Sequence, residues 1–321
     1  MGKSLLVAVA LFVLASAYPA GAQAPDPPAW SAELEAIRRV AVSIPGARPV
    51  RVNVVKVAES RRTKNFAVKG APIEDSAQAR TAYQVVYPTG SIMIDAGMDA
   101  QVHRFFGRGV EEPYFADQAE LLERALRAAR AIVLTHEHGD HVAGIIRSPY
   151  FNVLAPKTRL TRAQMQILMT EPQMPEIRLT PAMAQQFLVI DYEDYFPVAP
   201  GMVLIKAPGH TPGSQMVFVN LQSGREFIFA GDVAWHMDGV RLVRGKDASW
   251  IQEDEAAITA QLKWLSAIGR LGPNRVFVIA SHDDDQRRLL ISQRVLGGEL
   301  EVQRAELAPP SPELPEKSRR F

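Results

Sequence analysis

Four short apolar runs in this chain each end, within a few positions, in residues that can bind a metal. Residues 131–134 lead into His136, Glu137, His138, Gly139, Asp140 and His141. Residues 202–205 precede His210, residues 227–229 precede Asp232, and residues 276–280 precede His282. A strand hands its last side chains to the edge of a sheet. The pattern therefore constrains the chain to a β-structure with one edge that gathers ligands. Gly139 permits a tight turn that aims His136, His138, Asp140 and His141 into one small volume. Neutral imidazole nitrogen and carboxylate oxygen suit a borderline cation such as zinc.

Further runs rich in β-branched and aromatic residues, at 50–57, 83–87, 92–94 and 216–219, read as strands. Between them lie helical patterns. Residues 117–130 put Leu121, Leu122, Ala125, Leu126 and Ala129 on one face, and residues 253–268 align Ala257, Ile258, Leu262, Leu265 and Ile268. Alternating strands and helices predict an α/β layered fold, not a bundle or an all-β barrel.

Taken together, His136, His138, Asp140 and His141, followed in order by His210, Asp232 and His282, resemble the metallo-β-lactamase-fold hydrolases. Ile94, Asp95, Ala96 and Gly97, ahead of the signature, are similar to a further element of that family, and the resemblance spans roughly residues 50 to 285. It implies a four-layer αβ/βα sandwich and two zinc ions, other divalent metals being admissible. One ion falls to His136, His138 and His210, the other to Asp140, His141 and His282, and Asp232 bridges them. The implied chemistry is hydrolysis by a metal-bridging hydroxide, with Asp140 orienting the nucleophile or passing its proton to the leaving group and Asp95 supporting a ligand from behind. The stretches around His210 and His282 look most like those of N-acyl-homoserine lactonases, which implies opening of a lactone or ester in a small-molecule substrate. Those enzymes carry a tyrosine three residues after the bridging aspartate, where this chain has Trp235. A β-lactamase and a non-catalytic zinc-binding protein of the same fold stay open as alternatives. The β-lactamases of this fold generally lack the bridging aspartate.

The N-terminus reads as a signal peptide over residues 1–24. Lys3 is followed by an apolar run at 5–17, then Pro19, Gly21 and a small-residue cleavage site at Ala22, Gln23 and Ala24. The run is shorter than the ~20 residues a membrane-spanning helix needs, so the expectation is export to the periplasm or outside the cell, without stable membrane insertion. A lead-in and helix at 25–49, the hydrolase domain at 50–307 and a Pro-rich charged tail at 308–321 complete the expected organisation. The 36 basic and 35 acidic residues nearly cancel, which removes the electrostatic case for a nucleic-acid partner. Cysteine is absent, so a cysteine nucleophile and cysteine metal ligands are excluded. The sequence does not specify an oligomeric state.

Two segments read as candidate walls of a substrate site. Residues 59–82 are polar and irregular, resembling a flap. Residues 159–187 carry Met165, Leu168, Met169, Met174 and Met183, which suit packing on the sheet first and an adaptable pocket second. Trp235 and His236, just past Asp232, are candidates for substrate contact or ligand support. His103 reads as a structural or surface histidine.

Overall fold

The computed structural model describes residues 27–247, 252–271 and 276–302. Among them, β1 (Arg51–Thr63), β2 (Asp75–Tyr87), β3 (Gly90–Ile94), β4 (Ala131–Val133), β5 (Thr158–Thr161) and β6 (Leu188–Ile190) form one sheet in that order. The second sheet holds β7 (Tyr195–Ala199), β8 (Met202–Lys206), β9 (Gln215–Asn220), β10 (Glu226–Phe229) and β11 (Val276–Ile279), ordered β11-β10-β9-β8-β7.

The period-two alternation of the strands sorts their side chains into three apolar layers. Val52 and Val54 of β1 join Met202 and Leu204 of β8, with Phe227 and Phe229 of β10, in the core between the sheets. The intervening Val55 and Val57 face outward with Leu122, Ala125 and Leu126 of the helix Ala116–Ala128. Val203 and Ile205 face the other way, with Ile258, Leu262, Leu265 and Ile268 of the helix Glu255–Leu271. Helix, sheet, sheet and helix therefore stack as the expected four layers. Phe218, Phe227 and Phe229 are fully buried, and truncating a phenylalanine so placed costs on the order of 3–5 kcal/mol.

Strand direction creates the ligand-gathering edge. β3 and β4 run parallel, as do β10 and β11. β8 lies two antiparallel steps from β10 and so shares its direction. The C-terminal ends of β3, β4, β8, β10 and β11 lead to Asp95, His136, His210, Asp232 and His282 respectively.

Several sequence expectations change. Residues 59–82 are not an irregular flap: β1 and β2 continue as a paired hairpin, Glu59 opposite Ala79 and Thr63 opposite Asp75, around the short helix Lys64–Ala67. Main-chain pairing needs no apolar alternation, which is why the polar stretch conceals two strands. β5, β6 and β7 were not expected either; they are three to five residues long, too short to show a period. The helix Pro27–Ala41 begins inside the expected lead-in, and the first helical turn tolerates its two prolines. Residues 1–24 and 308–321, the expected signal peptide and tail, lie outside the described residues. No helix among the described residues is long and apolar enough to cross a membrane.

Candidate metal centre

All seven candidate ligands converge; six are buried and His138 is half-buried. They form two groups, His136, His138, His210 and Asp232 in one, and Asp140, His141 and His282 in the other. His138 caps the helix Gly139–Ile146 at its N-terminus, so Asp140 and His141 occupy its first turn and not a free loop. That helix is pressed onto the segment after β3. The Ala96 N–H donates to His141 O at 2.8 Å and the Gly144 N–H to Gly97 O at 3.0 Å. A Cβ on Gly144 would lie 2.0 Å from the Ala96 carbonyl oxygen, so only glycine permits this approach.

Asp95 exploits the approach. Held at φ 61°, a left-handed conformation that aspartate tolerates, it accepts the Thr135 N–H at 2.7 Å and lies 2.9 Å from His141 Nδ1. Three of the other imidazoles are anchored similarly. His210 Nδ1 meets Glu253 at 2.5 Å, His282 Nδ1 donates to the Ala79 carbonyl at 2.8 Å, and His136 Nδ1 lies 3.2 Å from the Thr135 hydroxyl. Each anchor leaves Nε2 pointing inward. Partners of this kind fix both the orientation and the basicity of a metal-binding imidazole.

The inward atoms have the spacing of a coordination shell. Zinc ligands at 2.0–2.1 Å in a tetrahedron stand about 3.3 Å from one another. Here His210 Nε2 is 3.0 Å from His138 Nδ1, and Asp232 Oδ2 is 3.6 Å from His136 Nε2 and 3.4 Å from His210 Nε2. Asp140 Oδ2 is 3.4 Å from His141 Nε2 and 3.6 Å from His282 Nε2. Asp232 Oδ1 is 3.5 Å from His141 Nε2 and 3.2 Å from His282 Nε2. Asp232 thus turns one oxygen to each group. His136 Nε2, His141 Nε2 and Asp232 Oδ1 are buried without a hydrogen-bond partner, a costly state that a cation between them would relieve.

Electrostatics prepare the same atoms. Burial, with His210 beside it, pushes His138 down to about 3, and burial with His141 nearby holds His136 well below the ordinary range. Both therefore offer lone pairs at neutral pH. Burial opposes charge on Asp140, but His141 and Arg80 outweigh it and keep the carboxylate ionised. Burial likewise opposes charge on Asp232, and the imidazoles around it, His282 foremost, outweigh it. Burial pushes the neighbouring Glu137 up to about 7.

A cavity of about 450 Å³ opens onto His138, Asp140, His210 and Asp232. Phe106, Ile167, Pro212 and Trp235 supply apolar wall, and Glu171, Gln173 and Gln252 supply polar wall. The methionines of the 159–187 segment do the first of their expected jobs, packing on the sheet, and none of them lines the cavity. Met165, Leu168 and Met174 are core, while Ile167, Glu171 and Gln173 of the same stretch reach the cavity.

A family model of the metallo-beta-lactamase superfamily matches residues 77–282, the stretch that carries every one of these ligands. The chain belongs to the metallo-beta-lactamase superfamily. With that membership goes its class of chemistry, metal-dependent hydrolysis. No curated protein matches the sequence. Solved structures of similar fold include an N-acyl homoserine lactone hydrolase with the product N-hexanoyl-L-homoserine at its catalytic metal centre, at TM-score 0.60 and 14% identity, covering 75% of this chain and 96% of that one. A probable metal-dependent hydrolase from Staphylococcus aureus matches at TM-score 0.58 and 12% identity, covering 75% and 91%. A dizinc quorum-quenching lactonase in complex with a product matches at TM-score 0.51 and 14% identity, covering 74% and 90%. At these identities the likeness is one of fold.

Of three further residues singled out beyond the ligands, Trp235 and His103 follow the sequence expectation and His236 departs from it. Trp235 lines the cavity, but its indole N–H donates to Asp232 Oδ2 at 2.7 Å. His236 is not among the cavity residues; its Nδ1 accepts the Asp238 N–H at 3.0 Å and caps the helix Met237–Leu242. His103 is buried beside Tyr114, with 6.0 Å between ring centroids, and does not line the cavity. Sequence reasoning missed Glu253, Lys246 and Arg80. Lys246 pairs with Glu253 at 2.7 Å and also donates to the Asp232 carbonyl. Arg80 donates to Asp140 Oδ2 at 2.5 Å. The one available signal was a charged residue, Arg80, set among small and apolar neighbours in the run that became β2.

Proposed function

We propose that this protein is an exported hydrolase of carboxylic esters, lactones foremost, working with two zinc ions held by the seven residues. Asp232 carries the reading: each of its oxygens faces the imidazole nitrogens of a different group, the arrangement a carboxylate shared by two ions requires. The surroundings of His210 and His282, and the lactone hydrolases among the structures of similar fold, favour a lactone over a β-lactam.

When bound, zinc brings the pKa of a coordinated water down to about 7 and polarises a substrate carbonyl. The chain's own groups do the rest. Phe106, Ile167 and Pro212 give the acyl portion an apolar wall, within a cavity whose volume lies in the usual range for small-molecule sites. Asp140, ionised and on the cavity wall, would orient the attacking water, whose proton passes on to the departing alkoxide. Trp235 does not replace the tyrosine of the lactonases, because its only N–H is committed to Asp232. Alkoxide stabilisation therefore rests on the metal side of the site.

The test is turnover by purified, zinc-loaded protein on acyl-homoserine lactones, aryl esters and a chromogenic cephalosporin under one set of conditions. Lactone or ester hydrolysis well above the cephalosporin rate is the expected result. Efficient cephalosporin turnover with only background on the others would replace this reading with β-lactamase activity. Export rests on the pattern of residues 1–24, and the mass of the chain recovered outside the cytoplasm, expected to lack those residues, checks it.

A further inference from the structure

We propose that Arg80 makes the two halves of the metal centre unequal, its guanidinium standing in the Asp140, His141 and His282 half as a resident cation that a second metal ion must displace or tolerate. The inference rests on the metal-centre reading above and adds an order of loading. Arg80 enters from β2, a strand that carries none of the expected ligands. One guanidinium nitrogen is 2.5 Å from Asp140 Oδ2 and 3.3 Å from His282 Nε2. His282 Nδ1 faces the Ala79 carbonyl, which only accepts, so the imidazole proton sits on Nδ1 and Nε2 keeps its lone pair. Arg80 therefore donates to two of the three ligand atoms of this half.

A guanidinium is a demanding competitor. Unlike a histidine or lysine, it does not lose its proton to make way for a metal. It is also held in place. Its other terminal nitrogen is 3.2 Å from the Ser60 hydroxyl, its central carbon lies 5.1 Å from the centroid of the Phe106 ring, and the residue is 7% exposed. Swinging it out would break the Ser60 and Phe106 contacts and the charge-assisted bond to Asp140.

Among the described residues, the other half meets no such cation. Asp232 Oδ2 receives only the neutral indole N–H of Trp235. The cation beside it, Lys246, is matched by Glu253 at 2.7 Å, and it reaches the backbone carbonyl of Asp232, not its carboxylate. An ion in the His136, His138, His210 and Asp232 half therefore has no guanidinium to displace. In the other half, Arg80 has already neutralised Asp140 and occupied His282. Arg80 thereby gives the protein a one-ion form at limiting metal and a two-ion form only at higher metal.

The experiment is a cobalt(II) and zinc(II) titration of chelator-dialysed full-length protein, read by the cobalt d–d absorption and by calorimetry. The wild type should take one equivalent at least about a hundredfold more tightly than the second, the upper end of what residues supporting a metal ligand are worth. Arg80→Gln and Arg80→Met, which keep much of the volume beside Phe106, should tighten the second equivalent by at least about tenfold and leave the first within a few-fold. Two equal equivalents in the wild type, no metal binding at all, or an unchanged gap in folded variants would each overturn the proposal. The wild-type titration decides the matter even if neither variant folds. Two equal equivalents with brisk lactone turnover would remove the role of Arg80 and leave the proposed function standing; unequal loading without ester turnover would do the reverse.

Discussion

Replacing Asp95 by asparagine keeps the shape of the side chain and tolerates the positive φ, so its effect isolates one proton. In the native protein Asp95 Oδ1 accepts the Thr135 N–H at 2.7 Å, and Oδ2 lies 2.9 Å from both the Thr135 hydroxyl and His141 Nδ1. Asp140, Asp95 and Asp232 favour an extra proton on His141; once metal displaces it, a carboxylate that accepts at both oxygens keeps the remaining proton on Nδ1 and leaves Nε2 to bind metal. With asparagine, the carbonyl stays on the Thr135 N–H and the amide N–H₂ faces His141. The ring must then present its Nδ1 lone pair to the amide and move its proton to Nε2, the atom facing Asp140 and Asp232. Metal binding has to reverse that tautomer and set two donors against each other. A hydrogen bond to a charged group is worth about 1.5–3 kcal/mol, which is roughly 10- to 150-fold in affinity. The same range is found when partners behind metal ligands are removed. Asp95→Asn should therefore weaken zinc binding in the Asp140, His141 and His282 half by about 10- to 100-fold, measured by competition with a chromophoric chelator. The fold should survive, because the backbone contact to Thr135 is kept. Zinc affinities unchanged within about twofold in folded Asp95→Asn would refute the tautomer argument.

Asp232→Ala removes the carboxylate shared by the two groups and should lower turnover by more than about a hundredfold with circular dichroism unchanged, since even residues behind the ligands are worth 10- to 100-fold; wild-type turnover would remove the bridging role. Trp235→Phe loses the N–H on Asp232 Oδ2 while keeping a ring against Phe66, so zinc in the His136 half should bind about tenfold more weakly, with little change in melting temperature. Burial pushes the Tyr83 hydroxyl up from 10 to about 12. The fold therefore favours the neutral phenol, and this contribution is complete below pH 10 and lost as pH rises toward 12. Denaturant melts at pH 8 and pH 11 should show Tyr83→Phe gaining on the order of 1 kcal/mol on the wild type between the two, and a gap independent of pH would contradict the shift.

Much of the architecture was legible because it follows from local rules. The parity of Met202, Val203, Leu204 and Ile205 assigns alternate residues to two different cores, and the stripe Ile258, Leu262, Leu265 and Ile268 assigns a helix face. The extended hairpin of β1 and β2 was not legible. Its outer half is polar, and strand pairing there depends on a partner twelve to twenty positions away rather than on side-chain pattern. His236 misled for a related reason: proximity in sequence to Asp232 does not set direction, and a helix cap claimed its ring.

The order of residue types along the chain identifies which atoms can bind a metal and where each arrives. Metal coordination accepts few side-chain types, and strands ending in His136, His210, Asp232 and His282 leave few ways to bring those side chains together. Tertiary structure alone decided what stands behind and beside the ligands. Glu253 on His210, Trp235 on Asp232 and Arg80 on Asp140 are choices of direction and distance between segments, made by any of several residue types. The pairs Glu253 with His210 and Arg80 with Asp140 are moreover far apart in the chain. No spacing rule encodes such contacts. They exist because the two sheets, once packed on their shared core, bring these segments to one edge, where a buried charge must find its partner.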